Sequence, residues 1–174
     1  MKNIFIISIF AVAATSVFAK TETKSVYTDM GKDCITVSSP TDKAPIDFYE
    51  SDCKAFGGFV LKQTGSDLRY GPALSFEGKE IDLQPPYSFH QMESSKVEWV
   101  YDLTQDEEGA GTIKYKALIF RIGMDGDSSG KPANKLYVVK LDGKNSCVIG
   151  TVSTNQAARA LANNASAACK AVDQ

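Results

Sequence analysis

Few residues of this chain have a type and spacing that could do chemistry. The sharpest set is Asp125-Gly126-Asp127-Ser128-Ser129-Gly130. Oxygen-bearing side chains at alternate positions, with a glycine to allow the bend, form the opening half of a calcium loop. Asp125, Asp127 and Ser129 would be the ligands, and calcium is the one cofactor the sequence raises. The twelfth position is Leu136, where an EF-hand needs a bidentate Glu. A shorter calcium turn between strands therefore stands against a plain polar turn in which Asp and Gly only bend the backbone. Half a ligand set favours the plain turn.

His90 is the single histidine, and histidine alone has an ordinary pKa near neutrality. A hydrolase would have to be built on it. Ser88 and Ser94 lie close in sequence, but there is no G-x-S-x-G elbow, and proximity in sequence does not make a triad. No catalytic residue is assigned on this basis. The acidic run Asp106-Glu107-Glu108 precedes Gly109 and reads as a solvated turn.

Two arginines interrupt apolar, strand-like segments: Arg69 in DLRY and Arg121 in ALIFRI. A cation there needs a partner or a wet face. The functional reading is an anion- or peptide-binding groove; the ordinary one, a structural ion pair or a strand end, is favoured. Trp99 with Tyr101 could stack on a glycan. Their shared face with Val97 and Leu103 points instead to core packing. Arg69, Arg121 and Trp99 are the candidate binding residues.

The elements that must position these residues are mostly strands. Residues 20–24 read as a loose polar leader. Strand character follows at 26–30, 34–37 and around Ile46 and Phe48, with a polar loop at 38–45. Strands are expected at 59–63, 68–76 and 80–83, and Gly71-Pro72 marks the second of these as an edge or bulged strand. Pro85-Pro86 then stops regular structure. Residues 97–103 alternate cleanly. Residues 113–122 begin by alternating and become apolar on both faces, as in a central strand. Residues 136–141 and 147–152 complete the strands. At the C-terminus Ala158, Leu161, Ala165 and Ala168 or Cys169 recur at helical spacing, with Thr154 or Asn155 as cap. Its Ala-rich face should lie close to a sheet, with Cys169 near the helix end. The fold class expected is α+β: a mainly antiparallel sheet of about seven to nine short strands with one C-terminal helix and two disulfides.

Residues 1–19, MKNIFIISIFAVAATSVFA, read as a cleaved secretory signal. Lys2 precedes an apolar run, and Val17 and Ala19 place small residues three before and one before the cut. The run is short for a lasting membrane span of about 20 residues. No Cys follows it directly, which argues against a lipid anchor. Residues 20–174 then form one domain of 155 residues, a usual single-core size. The chain has 19 Lys and Arg against 21 Asp and Glu. Losing Lys2 leaves 18 against 21, a net of −3, too mild to imply nucleic acid or an anionic membrane as partner.

Export bears directly on Cys34, Cys53, Cys147 and Cys169. An even number of cysteines in an exported chain favours disulfides. A metal site is the weaker reading, with no C-x-x-C and one His. Four cysteines allow three pairings, of which local pairing is the most economical. Each loop of about twenty residues would then contribute roughly 3 kcal/mol in the chain-entropy model.

Taken together, SVYTDM (25–30), KDC (32–34), a second Cys before GGF (57–59), DLR (67–69), VEW (97–99), ALIFRI (117–122), LYVVKL (136–141), SCVIGTV (146–152) and ARALA…C (158–169) form a pattern. It resembles a group of small exported proteins, periplasmic or secreted, of Gram-negative bacteria. The resemblance covers most of residues 20–174. It implies a periplasmic or secreted location and Cys34–Cys53 plus Cys147–Cys169 pairing. It implies no reaction, cofactor or binding residue.

The expected function is thus an exported, soluble envelope protein: a non-enzymatic binding module for a protein, peptide or glycan. An inhibitor of an envelope hydrolase is one version, although no SGxxY-type inhibitor motif is present. The alternatives are a calcium-stabilised structural module and a hydrolase using His90.

Overall fold

The computed structural model describes residues 20–39, 48–66, 69–83, 96–106, 108–124, 133–164 and 166–170, with backbone only at Arg69, Met124 and Ala133. The described residues form ten strands and one helix: β1 (Lys20–Asp29), β2 (Cys34–Ser38), β3 (Phe48–Cys53), β4 (Phe59–Ser66), β5 (Arg69–Phe76), β6 (Lys79–Ile81), β7 (Lys96–Gln105), β8 (Gly111–Met124), β9 (Ala133–Lys140), β10 (Cys147–Val152) and α1 (Asn155–Ala162). The α+β class, the antiparallel pairing and both disulfides are as expected. The strands divide into two five-stranded sheets, β1-β7-β8-β9-β10 and β2-β3-β4-β5-β6.

Two local expectations fail. Residues 20–24 are not a loose leader: Lys20 to Asp29 pairs residue for residue with Gln105 to Lys96. Their Thr and charged side chains suit the solvated face of an edge strand, which the alternation alone does not separate from a loop. The helix stops at Ala162, capped by Asn163, well before Cys169. Just beyond it Asn164 Oδ1 accepts from the Ser166 amide (3.2 Å) and hydroxyl (2.8 Å), a local bond that competes with continuing the helix. The Cys147–Cys169 bridge, Cα atoms 5.6 Å apart, therefore ties β10 to a non-helical tail. Cys34–Cys53 joins two directly paired residues of β2 and β3.

Pro72 does sit where a proline can. It pairs with Gln63 of β4, while β6 reaches only Leu74 to Phe76 on the other side. β5 is thus an edge at Pro72, the kind of strand position that accepts a proline.

Strand alternation builds two cores on the first sheet. On its inner face Val97, Trp99, Leu118, Phe120, Ile122, Tyr137 and Val139 meet Phe59, Leu61, Leu74 and Ile81 of the second sheet. On its outer face Val100, Ala117, Ile119, Leu136, Val138 and Ile149 meet Ala158 and Ala162 of α1. β8 is central and covered on both sides from Ala117 to Phe120, which is why that run is apolar throughout, while Arg121 is exposed. Trp99 is fully buried. Its Nε1–H donates to Thr28 Oγ1 (3.0 Å), and that hydroxyl donates to the Lys54 carbonyl (2.7 Å). This relay joins β1 and β7 to the turn before β4. Gly57 in that turn has φ +66°, and a Cβ there would stand 2.8 Å from the Tyr115 ring. Gly150 serves the opposite face: a Cβ would lie 2.6 Å from Leu161, so the helix approaches β10 only because that side chain is missing.

Candidate anion-binding recess

The helix lies over β8, β9 and β10, touches β7 at Val100, reaches Glu98 and Tyr27 through Arg159, and leaves the rest of the outer side of β1 and β7 uncovered. A recess of about 400 Å³ lies at that boundary, lined by Tyr27, Lys96, Glu98, Ile119, Arg121, Leu136, Asn155 and Arg159. The ladder explains the grouping. Tyr27 pairs with Glu98, Glu98 with Ile119, and Arg121 with Leu136, so all five share one face. Lys96 lies two residues before Glu98, on the same face. Asn155 and Arg159 are one helical turn apart, on neighbouring positions of α1. The helix start is fixed by Thr154, whose Oγ1 accepts from the Ala157 amide (3.2 Å).

The floor is apolar: Ile119 and Leu136 are buried. One end is a closed polar network. Arg159 Nε donates to Glu98 Oε1 (2.8 Å), and its NH2 donates to Glu98 Oε2 (3.2 Å) and to the Tyr27 hydroxyl (3.0 Å). Ser25 Oγ also donates to Glu98 Oε1 (2.6 Å). The carboxylate is thus satisfied despite being 7% exposed. Hydrogen bonding to Glu98, then its charge and that of Tyr27, hold the Arg159 guanidinium further toward its charged form.

The other end is open. Arg121 is exposed, and its hydrogen bond to a described residue is a long one, NH2 to Asn155 Oδ1 at 3.5 Å. Among the described residues, neither Arg121 nor Lys96 enters an ion pair. The recess therefore concentrates three cations against one carboxylate, on a chain whose formal net charge is −2. Such a site can hold an anion by charge and by the guanidinium fork.

The sequence candidates separate in space. Arg121 is in the recess. Arg69 lies at the start of β5 in the other sheet, opposite Ser66, so the two arginines do not share a site. Trp99 belongs to the core: fully buried, its ring packs edge-on to Phe56 (5.6 Å) and Tyr115 (6.3 Å), so it offers a glycan no face. His90, Asp125, Asp127 and Ser129 lie outside the described residues. Among the described residues no group of three His, Cys, Asp or Glu could hold a metal. No described helix is long and apolar enough to cross a membrane.

Tyr27, Lys96, Glu98, Asn155 and Arg159 escaped the sequence reading. The signals were a carboxylate inside the apolar VEW strand and one Arg in an Ala-rich helix. Neither names its partner across 61 residues. The chain matches no protein-family model, no curated protein and no solved structure.

Proposed function

We propose that this chain is exported and acts outside the cytoplasm as a non-enzymatic binding module for a protein, peptide or glycan, with the Arg121 recess as its contact site. An envelope hydrolase is one such protein partner, held in check by the contact. The observation that carries the reading is the recess itself. Its cations are presented on a frame stapled by two disulfides and a double core, as a preorganised binding site requires. Its nearest hydroxyl and carboxylate, on Tyr27 and Glu98, are engaged with Arg159 rather than poised as nucleophile and base.

Two observations support export. Residues 1–19 have the order of a signal peptide. Two disulfides favour an oxidising compartment.

Expression of the full chain, followed by fractionation and intact-mass measurement, tests the address. A protein starting at Lys20 with four oxidised cysteines, outside the cytoplasm, is expected; an uncleaved, reduced cytoplasmic chain would sink the proposal. Cross-linking in the envelope fraction tests the binding. One reproducible partner, lost on Arg121→Glu, is expected. A partner retained by that variant would move the contact away from the recess, and none at all would count against a binding module.

A further inference from the structure

We infer that the recess takes a carboxylate carried on a short aliphatic group, the chemistry shared by a peptide C-terminus and a free aliphatic acid. This rests on the binding-module reading and names its ligand class.

Four features converge on that chemistry. Arg121 is exposed and, among the described residues, without an ion pair. Its planar fork matches the two oxygens of a carboxylate. Lys96 lines the same recess and adds a second, adaptable positive charge without competing for that geometry. The Arg159 guanidinium is already held by Glu98 and Tyr27. It shapes the wall, so the incoming charge is directed to Arg121 and not to a diffuse cluster.

The apolar wall decides between kinds of anion. Ile119 and Leu136 close the bottom of the recess and are already buried, while the Tyr27 ring, which lines the same recess, is 43% exposed. An inorganic anion would leave that ring facing water. A carboxylate with a branched aliphatic tail of four or five carbons covers it while its oxygens reach Arg121. The volume of about 400 Å³ is at the small end of ligand sites, which run from roughly 300 to 1,000 Å³, and so suits one residue rather than a long segment. Neutral sugars would leave the cations unused.

The test is calorimetric titration of the purified protein with N-acetyl-leucine, N-acetyl-leucinamide, the peptide Ala-Ala-Leu as free acid and as amide, and inorganic phosphate. Both acids are expected to bind at least about tenfold more tightly than their amides, a factor that corresponds to about 1.4 kcal/mol. A peptide acid that outbinds N-acetyl-leucine identifies a chain terminus as the source, and the reverse order identifies a free acid. Arg121→Gln should weaken the acids by about tenfold or more, and Lys96→Gln by a smaller factor. Arg121 is exposed, so an unchanged melting temperature will show that Arg121→Gln is folded. Equal binding of acid and amide, phosphate binding as tight as the acids, or indifference to Arg121→Gln would each overturn the inference. So would the absence of any binding. If the acids fail while the cross-linked partner persists, the ligand class is wrong and the binding module stands. If both fail, the binding reading falls with it.

Discussion

The two faces of the first sheet are built from the same five strands and behave as opposite materials. The inner face is dry: Trp99, Leu118, Phe120 and Val139 are each at most 1% exposed and lie under the second sheet. A polar relay on it, Trp99–Thr28–Lys54, is internally satisfied. The outer face is covered by an eight-residue helix over β8 to β10 and, apart from Val100 under that helix, is largely polar over β1 and β7. There Thr21 meets Thr104, and Thr23 and Lys116 meet Asp102. The recess falls on the seam between these two halves. Shape is specified on the side that is sealed, and the exposed cation Arg121 lies on the side that is half covered.

The largest test of that contrast is truncation on each face. Trp99→Ala removes the largest fully buried side chain and leaves a cavity among Phe56, Phe59 and Tyr115. A cost of about 3–5 kcal/mol is expected, a fall of roughly 10 °C in melting temperature for a domain of this size. Arg121→Ala, on the other face of the same sheet, should cost within about 0.5 kcal/mol. Thermal unfolding by circular dichroism compares them directly. Similar losses would mean that Arg121 is structural and that the faces do not divide as described.

The bridge at the edge of the outer face comes next. Cys147–Cys169 closes 22 residues that include all of α1. Beyond it the tail is held to the sheet by the Lys170 amide on the Val148 carbonyl (2.9 Å). Replacing both cysteines by serine should cost about 3 kcal/mol. Amide exchange should quicken in Ala158 and Leu161 more than in Leu118 or Phe120 of the inner face. Uniform acceleration across both faces would show that the helix and the sheet open as one unit.

What the residues announced, and what they hid, follows the same division. ALIFRI could be read as a central strand because burial on both faces leaves a mark within one segment. The Cys-bearing ends, the Gly-Pro edge and the capped Ala-rich helix are local in the same sense. The two-sheet split is not: nothing within residues 59–83 says that they pair with 34–53 rather than with 96–105. The bulge that skips Lys116 between Tyr115 and Ala117 is equally silent, yet it puts Tyr115 in the core and Lys116 outside. Arg121 stood out as a cation in an apolar strand. Its companions did not, because the recess is made by register between β1 and β7 and by the landing of a helix 34 residues downstream. Sites assembled by long-range pairing have no local spacing to read.

A smaller loss than either the core truncation or the bridge belongs to the polar half of the outer face, and it depends on pH. Asp102 is part-buried and accepts from Lys116 Nζ and Thr23 Oγ1, both at 2.6 Å. Burial on its own would raise its pKa. The hydrogen bonds from Lys116 and Thr23, with the charges of Lys116 and Lys114, outweigh that and hold the carboxyl below its ordinary value of 3.8. A carboxyl depressed in the folded state binds its proton more readily when unfolded. Its stabilisation is therefore full above the unfolded pKa and fades as pH falls through the lower, folded one. Asp102→Asn should cost about 1 kcal/mol at pH 7, measured by urea unfolding. The gap between the variant and the parent should hold from pH 7 down to about 5, then close as pH drops below about 4. High salt should narrow it only partly, since the pair is part-buried. A gap that stayed constant into acid would mean that Asp102 contributes by shape and neutral hydrogen bonds, and that the bare half of the sheet is held without its charges.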